Sequence, residues 1–440
     1  MERVSRSRGR RSHLTLALCL VLHAFTHIYG SMLVPLYLLI ARDLNLGGVG
    51  RVGGATLIVT VYGVVYNLLS FPAGILADRH NRKWLLGIGL IGNAAAILLM
   101  GFTRQYEMLL ALGALAGVFG SLFHPAAGAL APAHYPRAPG LAIGLLGIGA
   151  GIGFFAGPQI AGWRAASAMW QPPLSPLHLG HVSAWQRPCV ELGLAGVIMG
   201  IIFLLVGVEA KRQTDVALPS EHALGKSLRW RIAAVGLVLG FRDFAGVAGL
   251  SLVSIFLQKA HRYDVKHAGL VVGGIVLLSV VGNPLLVYLS PGRRRLPMLT
   301  AVLIAGGIVV CITPLLSGGG AAMIAVLCIF FFFQLGSYAV SDAAMLERIA
   351  ADKRGRTVGL FLFIAGSMAS TGPWIMGWWS DHLGAGASNP KSYWPAFCVL
   401  GAGMWLATGA VGLIRRLGPV SAIEGDVSRE VRPATMETVA

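Results

Sequence analysis

The chain has 440 residues, of which 55% are hydrophobic and only 12% are charged, and its mean hydropathy is +0.71. Apolar runs repeatedly reach the roughly 20 residues that a helix needs to cross a bilayer, so the composition excludes a soluble globule and indicates a polytopic membrane protein. The formal net charge of +17 would suit nucleic-acid binding, but most Lys and Arg fall in segments that the topology places in the cytoplasm. The basic residues therefore indicate orientation and contact with anionic lipid, and we expect no nucleic-acid partner.

The apolar runs predict an all-α membrane protein with twelve transmembrane helices and both termini in the cytoplasm. We expect a basic N-terminus (1–12), a first six-helix bundle (13–208), a cytoplasmic linker (209–230), a second six-helix bundle (231–416) and a cytoplasmic tail (417–440). The helices are predicted near residues 13–40, 50–77, 83–103, 107–130, 140–163, 188–208, 231–257, 267–289, 297–316, 321–344, 356–380 and 393–415. The first apolar run is too long for a cleaved secretory signal, so we interpret it as the first helix.

Two histidines stand on one face of the first predicted helix. His23 and His27 are four residues apart, which places them one turn apart on a helix. Imidazole titrates near pH 6.5 in water, which suits a proton carrier. A buried histidine is also commonly a packed residue with a satisfied hydrogen bond, so both interpretations stay open.

A charged hairpin separates the second and third helices, where the chain reads Gly-Ile-Leu-Ala-Asp-Arg-His-Asn-Arg-Lys from residue 74 to residue 83. This G-x-L-x-D-R-x-x-R-K pattern resembles the loop between helices 2 and 3 of the major facilitator superfamily of secondary transporters. Asn81 replaces the second glycine of the family pattern and also tolerates left-handed backbone. The resemblance implies that Asp78 and Arg82 form a charge relay that latches helix ends; the alternative is ordinary membrane-flanking cations. The gating residues implied in this hairpin are Gly74, Asp78, Arg79 and Arg82.

The fourth helix contributes the sequence Phe123-His124-Pro125. The proline removes a backbone donor and is expected to bend the helix, exposing a carbonyl near His124. In the major facilitator fold, helices 1, 4, 7 and 10 line the central cavity. The resemblance therefore places His124 on a helix that lines the same cavity as helix 1.

Within the superfamily, the first 160 residues are most similar to the fosmidomycin-resistance type of efflux protein. The similarity rests on His23-x-x-Thr26-His27, on Pro35-x-Tyr37, on Phe123-His124-Pro125 and on the hairpin. At two positions the chain departs from that type, because His27 replaces an aspartate and Ala126 replaces a glutamate. Either the histidines carry the proton in place of these carboxylates, or the coupling and the substrate differ.

A glycine-proline motif occurs twice, 215 residues apart, and indicates two halves of one kind. The sequence G-P-x-x-x-G-W begins at Gly157 and Pro158 in helix 5 and returns at Gly372 and Pro373 in helix 11. With Gly153 upstream, the first copy is similar to the signature associated with antiporters, and its small residues permit close helix contact. The second copy has methionine at the position of Gly153.

Charged and polar residues also interrupt helices 7 and 10. Arg242 and Asp243 lie half-way through helix 7, where a charge costs roughly 2.5–3.5 kcal/mol on insertion scales. Adjacent helical residues point about 100° apart, so the two are not expected to face each other. They form either a buried structural pair with other helices or an anion or proton site. In helix 10, Gln334 and Tyr338 are candidate substrate ligands, and Asp342 is either a cavity acid or, as we favour, an interfacial gating residue paired with Arg348.

The sequence therefore predicts a secondary transporter of the cell (inner) membrane, a monomer that works by alternating access and exports a small organic compound in exchange for protons. His23, His27 and His124 are expected to handle protons or hydrogen-bond the substrate, and Arg242 to attract an anionic group. Uptake, or carriage of a lipid or metabolite, is the alternative within the fold; no catalytic motif favours a membrane enzyme. The expected partners are the substrate, protons and membrane lipids. We expect no cofactor, and the spacing of the five cysteines predicts no zinc site.

Overall fold

The computed structural model describes residues 2–47, 51–135, 138–170, 182–210, 224–316, 320–349 and 353–419. All regular structure in these residues is helical. Most of the predicted linker and tail lies outside the described residues.

Twelve described helices are long and apolar enough to cross a membrane, which confirms the predicted all-α membrane fold of two six-helix bundles. We number them α1 (Arg11–Asp43), α2 (Arg51–Arg79), α3 (Arg82–Met100), α4 (Tyr106–His134), α5 (Leu141–Ser167), α6 (Gln186–Val206), α7 (Lys226–Lys259), α8 (Val265–Leu289), α9 (Gly292–Leu315), α10 (Ala321–Leu346), α11 (Arg356–His382) and α12 (Pro390–Arg415). The N-half comprises α1–α6 and the C-half α7–α12. Because successive spans alternate in direction, α1 begins and α12 ends at one face, the near face; the other is the far face.

Four of these spans are interrupted next to a proline, namely α1 before Pro35 and the spans α4, α8 and α11. The helical hydrogen bonding of α4 stops after Gly120 and resumes at Phe123, two residues before Pro125. Interruptions of the same kind precede Pro284 in α8 and Pro373 in α11. Each proline sits in the first turn of the resumed segment, where its missing N–H costs little. Helix 4 is thus interrupted next to Pro125, where the sequence predicted a bend.

Small residues allow helices to approach closely within each half. In the N-half, a Cβ atom added to Gly153 of α5 would overlap the carbonyl oxygen of Ala24 in α1. In the C-half the corresponding residue of α11 is Met368, and its sulfur lies against Gly240 of α7. The small residue has thus moved to the partner helix, which explains how the second copy of the motif tolerates a methionine.

Glycines also line the crossings between the halves. A Cβ added to Gly162 of α5 would lie 2.5 Å from the carbonyl oxygen of Val265 in α8. Its repeat partner, Gly377 of α11, faces α2, where a Cβ would lie 3.0 Å from the Cα of Gly53. The α5–α8 and α11–α2 crossings are therefore related by the internal repeat, and both lie towards the far face.

Polar side chains bond the halves together at the far face. The carboxylate of Asp381, at the end of α11, accepts the backbone N–H groups of Val52 and Gly53 at the start of α2, at 3.0 and 2.8 Å. The Lys259 ammonium lies 3.8 Å from the same carboxylate. Further bonds between the halves run from Ser254 to the carbonyl of Val34, from Gln258 to the carbonyl of Pro35, and between Tyr37 and Ser251. The α2 N-terminus is thus capped by an acid from the other half, an arrangement favoured by the helix dipole.

Candidate functional site

Two polar clusters lie at mid-depth, one in each half, on the helices named from the resemblance as cavity-lining. The histidine triad consists of His23 and His27 of α1 with His124 of α4. The arginine cluster is built from α7 and α10. Its members are Arg242, Asp243, Gln334, Tyr338, Ser341 and Asp342. The structure thus collects all the substrate and proton residues selected from the sequence into these two clusters.

The triad brings three imidazole rings into mutual contact. His23 Nε2 lies 3.0 Å from His27 Nε2, and ring nitrogens of all three histidines lie within 4.8 Å of one another. The ring centroids of His23 and His124 are 5.1 Å apart, with the rings perpendicular. His23 is buried, whereas His27 and His124 are partly exposed. Two of the three imidazoles are therefore open to an occupant of the space between the helices.

Hydrogen bonding assigns a tautomer to the first two rings. His23 Nδ1 lies 2.6 Å from the carbonyl oxygen of Leu146 in α5, and because a carbonyl only accepts, Nδ1 carries the proton. In a neutral ring, His23 Nε2 is then an acceptor and receives the N–H of His27 Nε2. Phe123 stacks on His23 with centroids 4.7 Å apart, and Phe154 lies 4.3 Å from His27. These rings restrict the rotation of the imidazoles.

The glycines of α5 give the triad its room, a role that sequence reasoning did not assign to them. A Cβ on Gly149 would lie 3.0 Å from His23 Cβ, and one on Gly153 would lie 2.8 Å from His27 Cβ. Gly157 continues this face, where a Cβ would lie 2.5 Å from Ser31 Oγ. The glycines are spaced four residues apart, as the two histidines are. This shared spacing is the sequence signal from which the packing of α5 against α1 was predictable. Pro158 stays inside a continuous helix.

The arginine cluster centres on Arg242, whose side chain is fully buried. Its Nη1 donates to Ser341 Oγ at 2.7 Å and to the carbonyl of Ser337 at 3.2 Å. The guanidinium carbon lies 3.8 Å from the centre of the Tyr338 ring, within the range of a cation–π contact. Gln334 Nε2 donates to the Tyr338 hydroxyl at 3.3 Å. The cluster therefore joins α7 to α10 by charge and hydrogen bonding.

The expectation that Arg242 and Asp243 do not face each other is wrong. Arg242 Nε donates to Asp243 Oδ1 at 2.7 Å, and Nη2 lies at the same distance from that oxygen. The two Cβ atoms do diverge by one helical step, but the long arginine side chain curls back far enough to reach its neighbour. The pair is both a mutual ion pair and a bridge to α10.

Asp342 also differs from the expectation. Within the described residues, no ion pair joins it to Arg348, whose Nη1 donates instead to the carbonyl of Ala344 at 2.5 Å. Asp342 lies close enough to Arg242 to interact with it electrostatically. We therefore group Asp342 with the arginine cluster, and the expected ion pair with Arg348 is absent from the described residues. One guanidinium is therefore paired with Asp243 and lies within electrostatic range of a second carboxylate, Asp342.

The charged hairpin at the near face contacts its own half. Asp78 and Arg79 are exposed, and in the described part of the chain no ion pair joins Asp78 to Arg82. Arg82 donates to the carbonyls of Ala77 and Ala129, both at 3.4 Å. Gly74 lies near Pro125, so that an added Cβ would lie 3.9 Å from the proline ring.

Asn81 does not adopt the left-handed backbone conformation that the residue at this position of the family pattern was expected to tolerate. Its φ is −66°, and its side chain accepts the N–H of Trp84 as the N-cap of α3. The segment between the end of α8 and the first turn of α9, residues 290–295, repeats the cations of this hairpin in the second half. This repeated hairpin uses an ion pair, in which Arg295 Nη2 lies 2.7 Å from Glu347 Oε1. Arg82 and Arg295 thus both reach the near-face end of the fourth helix of their half.

Comparison with known proteins agrees with this architecture. The family model described as Major Facilitator Superfamily matches residues 18–373. The fosmidomycin resistance protein of Escherichia coli (strain K12) is 21% identical over 392 residues, which cover 86% of this chain and 89% of that protein. The methylenomycin A resistance protein of Bacillus subtilis (strain 168) is 26% identical over 285 residues, covering 54% of this chain and 59% of that protein. The chain thus spans less than two thirds of the methylenomycin relative.

A solved structure has the same fold. It is a bacterial homologue of the human lysosomal transporter Spinster, in an inward-facing and unoccupied conformation; it superposes with a TM-score of 0.70 at 18% identity and covers 93% of this chain and 95% of its own.

Proposed function

Because the chain belongs to the major facilitator superfamily, we propose that it is a secondary active transporter that exports a small organic compound in exchange for protons. The observation that carries the proposal is the fully buried Arg242, held with two carboxylates at mid-depth in a helix that crosses the membrane. Such groups are expensive in a bilayer, and in membrane proteins they mark substrate and ion pathways. The names of the two resistance proteins to which the chain is similar favour export.

We assign the near face to the cytoplasm, since the basic hairpins lie there. The hydrogen bonds described between the halves lie at the far face or at mid-depth, where Asn67 of α2 donates to Ser370 of α11 at 3.1 Å. We therefore interpret the conformation as closed to the outside and open to the cytoplasm. The solved structure of similar fold is also inward-facing. Alternating access then requires that the far-face bonds break while the near face closes.

We place the exchangeable proton in the arginine cluster. With both Asp243 and Asp342 ionised, the two carboxylates and the single guanidinium of Arg242 carry a net charge of −1. Burying an uncompensated charge is costly, so one proton, shared by the two acids, neutralises the cluster when no substrate is bound. Tyr338 is the other titratable group packed on Arg242. A substrate that donates hydrogen bonds to these carboxylates would replace the proton, which is the requirement for exchange.

The histidine triad supplies the wall of the pocket in the N-half. Its partly exposed rings, His27 and His124, offer nitrogen donors and acceptors to a bound compound. Phe123 and Phe154 border the same rings and offer apolar contact. A pocket with an apolar wall and a few fixed polar groups suits a drug-sized organic molecule.

Transport in liposomes tests this function. A growth screen of an overexpressing strain, with fosmidomycin and methylenomycin A among the compounds, selects the substrate; purified protein is then placed in vesicles with an imposed pH gradient. We expect accumulation that follows the pH gradient and a pH change inside the vesicles when substrate is added. Flux that ignores the gradient would exclude proton exchange, and accumulation in the opposite direction would indicate uptake.

Variants of the acids separate coupling from binding. Asp342→Asn is expected to lose accumulation driven by the pH gradient at least tenfold while it retains exchange of labelled for unlabelled substrate, because exchange needs no net proton movement. Asp264→Asn, an exposed acid at the far face, is the control and should leave both activities unchanged. Full gradient-driven accumulation in both Asp342→Asn and Asp243→Asn would remove the arginine cluster as the proton site.

A further inference from the structure

We infer that His23, His27 and His124 form a binding site for a divalent transition-metal ion of the zinc class. Nothing in the proposed exchange of a proton for an organic compound requires such an ion. The inference rests on the position of three imidazole nitrogens, and it stands or falls independently of which compound is transported.

The spacing of the nitrogens fits one ion. His23 and His27 stand at positions i and i+4 of one helix, the arrangement by which helical histidine pairs hold zinc. Zinc–nitrogen bonds of about 2.0–2.1 Å place two ligand nitrogens of a tetrahedral ion roughly 3.4 Å apart. The two Nε2 atoms lie 3.0 Å apart, and nitrogens of all three rings lie within 4.8 Å of one another. Small rotations of His27 and His124 are enough to bring three donors to one centre.

The surroundings prepare His23 as a ligand. Its Nδ1 proton is held by the carbonyl of Leu146 at 2.6 Å, which leaves the lone pair of Nε2 directed at His27. A backbone carbonyl on the second ring nitrogen is the usual support of a metal-bound histidine, because it fixes both the tautomer and the ring plane. The stacked ring of Phe123 holds the same plane from the side.

Competing partners for the nitrogens are few. Within the described residues, His124 makes no hydrogen bond through its ring, and its contacts are ring contacts with the other two histidines, Tyr66 and Phe123. The bond from His27 to His23 is the only hydrogen bond described between members of the triad. Binding of an ion would break that one bond, require the His27 proton to move from Nε2 to Nδ1 so that Nε2 can coordinate, and form three metal–nitrogen bonds.

The ligand set defines the class of ion. Imidazole suits Zn²⁺, Cu²⁺ and Ni²⁺, whereas Mg²⁺ and Ca²⁺ require oxygen ligands. Three histidines leave a fourth position of a tetrahedral site open, and because His27 and His124 are partly exposed, water or an anionic group can occupy it. The spacing of the cysteines did not indicate this site because all three ligands are histidines and the third comes from a different helix.

Metal titration of the purified, full-length chain tests the site without any transport measurement. A tag without histidines is used. Zn²⁺ is titrated in competition with a chelating dye, and Co²⁺ is titrated while its visible absorption is recorded. We expect one Zn²⁺ per chain, intense Co²⁺ bands typical of four-coordination, and no displacement of bound Co²⁺ by excess Mg²⁺.

Variants assign the ion to the triad. His27→Ala and His124→Ala should each weaken Zn²⁺ binding at least tenfold, whereas His382→Ala, which removes an exposed far-face histidine, should not change it. His27→Asp keeps a ligand at the same place and should restore binding with an altered Co²⁺ spectrum. Gel filtration monitors folding, and the restored binding by His27→Asp shows that a loss in His27→Ala is not due to misfolding.

Two results would overturn the inference. The first is Zn²⁺ binding that is unchanged in both alanine variants, which would place the ion elsewhere. The second is the absence of stoichiometric binding to the unmodified chain. Either result leaves the proton-coupled export proposed above untouched, because that function is measured by flux.

Discussion

The two faces of the bundle are held in different ways. At the far face the halves meet through glycine-lined helix crossings and through Asp381, which caps the first turn of α2 from the other half. At the near face the charged hairpin makes its described side-chain contacts within the N-half, as Arg82 does with Ala129. The repeat of that hairpin likewise pairs Arg295 with Glu347 inside the C-half. Contacts between halves thus dominate one face and contacts within halves dominate the other.

This difference shows which contacts between the halves stabilise the conformation seen in the structure. The sequence motif draws attention to the near-face hairpin, but the hydrogen bonds that hold the halves together here lie at mid-depth and at the far face. If the halves rock about a central pocket, the far-face contacts stabilise the inward-open state. The hairpin is then available to stabilise the state in which the near face is closed. Changes at the far face should therefore alter the population of the inward-open state most.

The largest effect is expected from filling a crossing between the halves. Gly273 of α8 faces α5, and a Cβ there would lie 2.5 Å from the carbonyl oxygen of Phe155. Gly273→Leu should destabilise the closed far face by about 3 kcal/mol, the upper end of overpacking costs, which is roughly a hundredfold change in the equilibrium. The measurement is the distance between spin labels at Gln105 and Ser388, on far-face loops of the two halves, in a chain whose five cysteines are replaced.

The adjacent glycine provides the matched control for this substitution. A Cβ on Gly274 would meet no atom within 4 Å, so Gly274→Leu adds the same volume to the same helix outside the crossing. Its label distances should equal those of the unsubstituted chain. Equal shifts in both variants would show that the crossing does not control the far face.

A smaller effect is expected from Asp381→Asn. The substitution removes the negative charge that caps α2 and faces Lys259, and it should destabilise the closed far face by about 1–2 kcal/mol, roughly a tenfold change. The same label pair reports it. Asp264 accepts the N–H of His267 and caps α8 within its own half, so Asp264→Asn removes a capping charge at the same face without breaking a contact between halves. A shift in Asp264→Asn as large as that in Asp381→Asn would contradict the role assigned to the inter-half cap.

Much of the fold was predictable because its determinants are local. The apolar length of each span and the repeated glycine-proline motif specify twelve helices in two related halves, and the one-turn spacing of His23 and His27 places them together. The superfamily resemblance named helices 1 and 4 as cavity helices, but the ring contacts of His124 with His23 and His27 appear only in the structure. Pro125 predicted the break in α4 for a backbone reason that does not depend on the rest of the fold.

Other contacts depend on side-chain reach and on partners distant in sequence. The ion pair of Arg242 with Asp243 was missed because the prediction considered only the directions in which the two Cβ atoms leave the helix. The arginine side chain is long enough to curl back to its neighbour. Asp342 was expected to pair with Arg348 nearby, but the described residues show no such ion pair, and Asp342 instead lies within electrostatic range of Arg242 on another helix. Asp381 was not selected at all, since an acid near a helix end in the sequence does not reveal that the N-terminus of α2 lies opposite it.

The smallest effect on the resting conformation is expected from the hairpin itself. Asp78 is exposed and forms no described ion pair with Arg82. Asp78→Asn should therefore change the free-energy difference between the two conformations by no more than about 0.5 kcal/mol. The populations read from the Gln105–Ser388 label distances should then change less than about twofold. If the hairpin stabilises the state with a closed near face, the same variant should still transport more slowly, because that state must form in every cycle. Arg293→Gln changes an exposed charge in the repeated hairpin and serves as the control. A population shift in Asp78→Asn as large as that of Asp381→Asn would mean that the hairpin already holds the halves in the inward-open state, and the contrast between the two faces would be lost.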